Sequence, residues 1–289
     1  EAIVDIRENP NSEFTKEAEN LGIKIYKNHT IVDTHGYKKL NKISIMELSK
    51  DGQSFANSNI ITLDCDCLGM AGGWTPAVHL FTQSGGKLKF RDEDQVFIPN
   101  KYPSDQISIG SCNGDFELDK IINNTSKSLK EYLGVDKTDY DNLKIKCPKD
   151  KTFKNIWLLP SHKVIGKTKS FVDYQNDATA KDIKLALREG FKSIEHVKRY
   201  TTTGMGTDQG KLGNMHALGI IADTSGLKVG DLGTTTFRPP YTPLTFGTMV
   251  GRNVGEYFDA FRRTPMNDWH IENKAKFENV GQWKRAWYY

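Results

Sequence analysis

The sequence predicts an α/β protein in which a strand-and-helix region over residues 1–135 precedes a smaller helical region over 153–246. Three features lead there. The first 135 residues alternate short apolar runs of strand length with stretches of helical period. Residues 136–152 are polar and Lys-rich, and read as a linker. Residues 153–246 then carry apolar side chains three and four apart, the pattern of helices with one inward face. The chain has 289 residues, enough for two cores at about 150 residues per domain. With 37% hydrophobic and 26% charged residues, it is neither a disordered nor a collagen-like composition. Lys and Arg total 40 against 36 Asp and Glu, a net +4 that is dispersed and forms no basic block. That balance does not call for a nucleic-acid or anionic-membrane partner. No apolar run nears the roughly 20 residues needed to cross a bilayer as a helix.

Taken in order, Ile3, Val4 and Ile6 predict a buried strand at residues 2–6. No Met and no basic-then-apolar leader precede it, so the chain reads as an internal piece of a longer polypeptide. Residues 11–21 form a helix with Phe14, Ala18 and Leu21 on one side, stopped by Gly22. A strand follows at 23–26. Residues 29–34 and 41–48 alternate as in a β-meander, and 60–70 read as a strand entering the core. Residues 107–114 are a short strand broken by Gly110 and Gly114, leading into a helix at 116–133 with Leu118, Ile121, Ile122, Leu129 and Leu133 at helical spacing. Beyond the linker, 156–159 is an apolar strand and 170–173 an extended segment. Thr179 with Asp182 is a weaker form of the capping box, opening a helix whose stripe is Ile183, Ala186 and Leu187. A second helix spans 193–200 with Ile194 and Val197 inward, and Leu212, Met215 and Leu218 suggest a third. Three prolines stiffen residues 237–246 into an inter-domain tether or a partner-contact strip. Residues 247–289 mix Arg252, Arg262 and Arg263 with Trp269, His270, Trp283 and Trp287, a surface suited to cover another one. The closing FENVGQWKRAWYY ends as abruptly as the chain begins.

Several chemistries are missing from the sequence. It has no full GxGxxG fingerprint, no phosphate-loop motif, no GxSxG elbow and no HExxH pair. The seven histidines are scattered, and His196 beside Lys198 and Arg199 reads as an ordinary satisfied side chain. Cys65 and Cys67 point to one strand face and could join a metal site, but no second pair follows at zinc spacing. With Cys112 and Cys147 they read as small apolar side chains of a protein in the reducing cytoplasm. Asp5 ends the first strand, where an acid can accept from a ribose or simply face solvent. The turn of Gly110, Ser111, Cys112, Asn113 and Gly114, ahead of a helix bearing Phe116 and Leu118, can bring backbone N–H groups to a phosphate or be a plain structural turn. The loop of Thr201, Thr202, Thr203, Gly204 and residues 205–210, flanked by Lys198, Arg199 and Lys211, can wrap an anion such as a flavin phosphate or stand in solvent.

Four stretches carry a resemblance: GGWTPAVHL at 72–80, FVDYQNDATAKDIKLALREGFKSIEHVKRYTTTGMGTDQGK at 171–211, FRPPYTP at 237–243 and TPMNDWH at 264–270. In this order the sequence resembles the alpha subunit of heterotetrameric sarcosine oxidase. The resemblance implies a partial two-part dinucleotide-binding fold of the disulfide-reductase type, its second half over 1–135. A linker would cover 136–152 and a central helical domain 153–246. The tether and the start of an aminomethyltransferase-like folate domain would occupy 247–289. It implies oxidative demethylation of sarcosine to glycine with O2, giving formaldehyde or methylene-tetrahydrofolate and H2O2. Substrate oxidation would occur on a beta-type flavoprotein subunit, with small subunits completing a heterotetramer and neither membrane nor nucleic acid involved. NAD would contact Gly110, Ser111, Cys112, Asn113, Gly114, Phe116 and Leu118. FMN would face Lys198, Arg199, Thr201, Thr202, Thr203 and Gly204. The tetrahydrofolate pocket would lie beyond Tyr289. The central region also resembles small helical [2Fe-2S] modules, but holds Asp173, Gln175, Asp208 and Gln209 where those have ligands, which argues against a cluster. The alternative from another class is a non-catalytic interaction or scaffold module of a multisubunit complex.

Overall fold

The computed structural model describes residues 2–103, 105–136, 145, 154–163, 169–252 and 261–289. The chain divides into two compact units, Glu1–Tyr241 and Thr242–Tyr289. In the first, β1 (Ala2–Asp5) pairs in parallel with β2 (Lys24–Lys27). Parallel neighbours need a crossover, and α1 (Glu13–Asn20) supplies it, capped by the Ser12 Oγ that accepts from the Thr15 amide at 3.0 Å. The expected burial here is only partly realised. Ala18 is buried, but Phe14 and Leu21 are exposed and Ile3 is 40% exposed. Two strands and one helix offer too narrow a face to cover all of them.

β3 (His29–Gly36), β4 (Leu40–Glu47) and β5 (Ile61–Asp64) form the antiparallel meander that alternation predicts, with Ile43, Ile45, Met46 and Leu48 buried. The strand expected to reach residue 70 stops at Asp64. Beyond it Gly69, Gly72, Gly73 and Pro76 contribute little side chain and one missing amide, so the chain runs irregularly to α2 (His79–Gln83). A hairpin of β6 (Lys87–Arg91) and β7 (Val96–Lys101) buries Val96, Phe97 and Ile98. No strand forms at 107–114. Gly110 has φ 72° and starts a single tight turn, Gly110–Asn113, and Gly114 closes it in the left-handed region at φ 84°. That geometry, which glycine adopts without strain, breaks extended backbone. α3 (Leu118–Leu133) follows. Most of the linker over 136–152, with Cys147, lies outside the described residues.

The apolar run at 156–159 is irregular and does not form the expected strand. Trp157 and Leu158 instead pack on the helical core. That core belongs to β8 (Phe171–Asp173), β9 (Ala178–Thr179), α4 (Ala180–Arg188), α5 (Ile194–Thr201), α6 (Asn214–Ser225) and α7 (Val229–Leu232). Thr179 and Asp182 make the full reciprocal cap on α4. The Thr179 amide donates to Asp182 Oδ2 at 2.8 Å, and the Asp182 amide to Thr179 Oγ1 at 3.4 Å. Ile183, Ala186, Val197 and Ile221 are fully enclosed, and Phe97 of β7 joins them, so strands and helices share one core. α6 is central: Ala217, Leu218, Gly219, Ile220, Ile221 and Ala222 are all buried. Leu212 lies ahead of this helix and is exposed. The second unit holds α8 (Phe246–Val250), α9 (Asn267–Glu272) and a hairpin of β10 (Lys276–Val280) with β11 (Trp283–Tyr288), whose Trp287 is 67% exposed.

Gly219 is the point where α6 admits an aromatic. A Cβ there would lie 2.0 Å from the Trp157 ring. Gly219→Ala gains about 1 kcal/mol of helix propensity but overpacks this contact at about 1–3 kcal/mol. Urea unfolding is expected to show net destabilisation, and Trp157 fluorescence should shift as the ring is displaced.

Candidate functional site

The 201–210 loop is held from below by a buried carboxylate. Asp173, 6% exposed at the end of β8, accepts from the Gln175 and Asn176 amides at 2.8 and 3.0 Å through Oδ1. Its Oδ2 accepts from the Gly204 amide at 2.6 Å. Burial alone would raise this carboxyl, but the amides of Gly204, Asn176 and Gln175 outweigh it and hold it below the usual range. Gln175 Oε1 accepts from the Asp208 amide at 3.3 Å, and Asp208 Oδ1 from the Gly210 amide at 3.0 Å. Gln209 grips the proline-rich strip. Its Nε2 donates to the Arg238 and Pro240 carbonyls at 2.6 and 3.0 Å, and its Oε1 accepts from the Arg238 amide at 2.7 Å. Each side chain at the would-be cluster positions therefore fixes backbone.

Behind the loop lies a cavity of about 50 Å³, walled by the segment before α2, by α4, α5 and α6, and by residues 234–237. Of the sequence-predicted residues, Lys198 and Thr203 line it, beside Lys211, Asn214 and His79. No Asp or Glu does. The Lys211 ammonium donates to the Tyr241 carbonyl at 2.6 Å and sits 4.0 Å from the Tyr241 ring centroid. His79 packs on Phe237 at 3.9 Å between centroids and edge-on to Tyr241 at 5.4 Å. Burial first, and then the Lys211 charge, push the His79 pKa down to about 4. Sequence reasoning gave His79 no role. Its only signal was its place within GGWTPAVHL, because the rings that enclose it come from the distant strip.

The remaining predicted residues are placed as follows. Arg199 pairs with Glu195 at 2.6 Å on the surface. Thr201 Oγ1 donates to the Val197 carbonyl at 2.8 Å. Thr202 ends α5 at φ 60° and is exposed, while Thr203 is buried. Gly204 has φ 70°, and a Cβ there would lie 2.4 Å from Asn214 Oδ1. The turn from Gly110 to Gly114, through Ser111, Cys112 and Asn113, contributes nothing to this cavity. Arg91 donates to the Gly114 carbonyl at 2.7 Å, and Cys112 Sγ to the Ile109 carbonyl at 3.0 Å. Phe116 and Leu118 are exposed. Asp115, Glu117 and Asp119 surround the start of α3, where their charge competes with an anion for the helix N-terminus. The Asp5 carboxylate is engaged by Arg7, with Nε and NH2 contacts of 3.0 and 2.7 Å. Among the described residues no cluster of three or more His, Cys, Asp or Glu could hold a metal, and no helix is long and apolar enough to cross a membrane.

Comparison with known proteins supplies the context. Residues 167–252 match the model of the sarcosine oxidase A3 domain. The chain is 34% identical to the sarcosine oxidase subunit alpha of Corynebacterium sp. (strain P-1) over 297 aligned residues, covering 100% of this chain and 30% of the relative. Against the same subunit of Rhizobium meliloti (strain 1021) it is 33% identical over 272 residues, 88% of this chain and 26% of that one. The chain thus spans about 30% of the length of the curated relatives it matches. Among solved structures, the L-proline dehydrogenase of P. horikoshii superposes with a TM-score of 0.57 at 19% identity, over 87% of this chain and 50% of that one. That likeness bears on the fold, and supports a mixed α/β architecture.

Asp173 generates a prediction for stability. Asp173→Asn puts an amide group in place of one acceptor and strands a buried N–H, either that of Gly204 or those of Gln175 and Asn176, at a cost of about 1–3 kcal/mol. Because the folded carboxyl is lowered, its contribution is in place above the ordinary carboxylate range. It is lost as pH falls through the lowered folded value. Urea midpoints measured from pH 7 to pH 2 should show an acid slope in the native chain that is reduced in Asp173→Asn.

Proposed function

From the kinship of this chain, along its whole length, with sarcosine oxidase alpha subunits, we propose that it is the cofactor-supporting part of a sarcosine oxidase-like alpha subunit. The complex would be a cytoplasmic heterotetramer that demethylates sarcosine to glycine with O2. Formaldehyde or methylene-tetrahydrofolate would be formed together with H2O2. The amine would be oxidised on a beta-type flavoprotein subunit, and small subunits would complete the assembly. Tetrahydrofolate would bind beyond the residues of this chain.

One observation carries the reading: a hydroxyl-rich loop stapled by Asp173, Gln175 and Gln209 and flanked by Lys198, Arg199 and Lys211. That donor set suits an anion such as the phosphate of FMN. Arg199 and Thr202 would meet it from the outer face of α5 and Lys198 from the side toward the cavity, with Thr201, Thr203 and Gly204 holding the loop in shape. Bound flavin supplies the electron-accepting ring, and the chain supplies its position. NAD would rest on Phe116 and Leu118 and on the backbone of Gly110, Ser111, Cys112, Asn113 and Gly114. Its contact would be chiefly with the flat apolar parts of the dinucleotide, since acids surround the start of α3. Those same acids favour the alternative, a scaffold module that binds no dinucleotide.

Co-expression of the chain with a beta-type partner should yield a complex that retains flavin. In that complex, Lys198→Ala combined with Thr202→Ala is expected to lower FMN content at least tenfold while bound NAD is unchanged. A folded complex that contains no FMN beyond the partner's own flavin, or full FMN in the double variant, would reject the flavin assignment. A calorimetric titration with NAD that gives no heat would favour the scaffold reading.

A further inference from the structure

The cavity behind the loop contains a side chain that the cofactor reading does not use. His79 is 7% exposed and lines the cavity, and neither Nδ1 nor Nε2 has a hydrogen-bonding partner among the described residues. Buried polar atoms are almost always satisfied, and an unsatisfied pair inside a cavity points to something that satisfies it there. The imidazole is neutral near pH 7, so one nitrogen donates and the other accepts. Its neighbours set the charge of the partner. Lys198 and Lys211 line the same space, and no Asp or Glu does. The Lys211 ammonium is fixed by the Tyr241 carbonyl at 2.6 Å, whereas Lys198 is half-buried at the end of α5. A pocket with two ammonium groups, one imidazole N–H and no acid selects a negative ligand and repels an ammonium.

Shape and polarity narrow the class. The rest of the wall includes Val78, Phe97, Ile183, Val197 and Leu218. An apolar wall disfavours a dianion such as phosphate, whose second charge would be buried without a partner. A volume of about 50 Å³ holds roughly four water-sized groups and no flavin or nucleotide ring. An amino acid would set its ammonium against Lys198 and Lys211. We infer that the cavity binds a small monocarboxylate, its carboxylate held by the His79 N–H and Lys198 and its short alkyl end against Val197 and Leu218. Phe237 and Tyr241 pack against His79 and hold its ring, and Gln209 anchors the strip that bears them. This site goes beyond the flavin reading and shares only Lys198 with it, so separate titrations tell the two apart.

The test uses the full 289-residue chain, isotope-labelled, with sodium butyrate, inorganic phosphate and FMN titrated separately. The amide resonances of Val197 and Thr203 are the reporters. Butyrate should shift both in a saturable manner in the roughly millimolar range. Lys198→Met should weaken it about tenfold, and His79→Phe, which keeps the stack on Phe237, should abolish it. Circular dichroism verifies that both variants are folded, and should His79→Phe fail to fold, His79→Gln replaces it. No butyrate shift overturns the inference, as does a shift that survives both variants. A response to phosphate or FMN in place of butyrate overturns it too, and assigns the cavity to the flavin phosphate.

Discussion

The loop, the strip and the cavity all depend on the Asp173 carboxylate and the Gly204 amide that donates to it at 2.6 Å. A carboxylate taken out of water is costly unless its lone pairs are filled, and here backbone N–H groups fill them. One oxygen closes the turn after β8, and the other reaches across to the residue that follows α5. The bond thus joins the strand pair that leads into α4 to the end of the helix that carries Lys198. Gly204 can approach only because it has no Cβ, which would collide with Asn214. Asn214 in turn donates to the Gln209 carbonyl at 2.9 Å, and the Gln209 side chain holds residues 238–240. The grip on the strip is therefore set by contacts that trace back to Asp173.

At Asp173, Gln175, Asp208 and Gln209 the side chains tie the chain together through hydrogen bonds to backbone. A cluster would cross-link the two loops through four covalent bonds to sulfur. Here Asp173 and Gln175 cross-link them through hydrogen bonds to backbone, Asp208 closes a turn within its own loop, and Gln209 holds the 238–240 strip, each bond worth about 1 kcal/mol and those to the charged carboxylates more. The result is a loop whose position is set by its own side chain-to-backbone contacts.

How much of this was legible in the sequence depended on how local the cause was. The Thr179–Asp182 cap, the stripe of Ile183, Ala186 and Leu187 on α4 and the inward Ile194 and Val197 of α5 are read from spacing. The cap is present, and all of these apolar side chains but the half-buried Leu187 are buried. The βαβ start and the β3–β5 meander were readable for the same reason. The run at 156–159 was misread because four apolar residues suit a strand and an irregular packing segment equally well. The deciding contact, Trp157 over Gly219, is remote in sequence. Residues 107–114 failed differently, since two positive-φ glycines end extended backbone however apolar the neighbours are. The burial of Phe14 and Leu21 failed because period alone does not reveal whether a second layer exists to receive a helix face. His79 was invisible because its environment is assembled from Phe237, Tyr241 and Lys211, which no motif links to it.

Among the described residues, the candidate bases and nucleophiles sit in surroundings that do not suit them to react. A catalytic base works best with a pKa near the operating pH, and His79 titrates near 4, too weak to take a proton at neutrality with useful driving force. A serine–histidine contact does exist, with His35 Nε2 2.7 Å from Ser44 Oγ. Ser44, however, is 5% exposed in the middle of β4, where no substrate carbonyl can approach it. Cys112, which could serve as a thiol nucleophile, spends its proton on the Ile109 carbonyl. What the fold does concentrate at the cavity is Lys198, Lys211 and an imidazole packed against two rings, with no Asp or Glu among the lining residues. Such a set favours negative groups over cations.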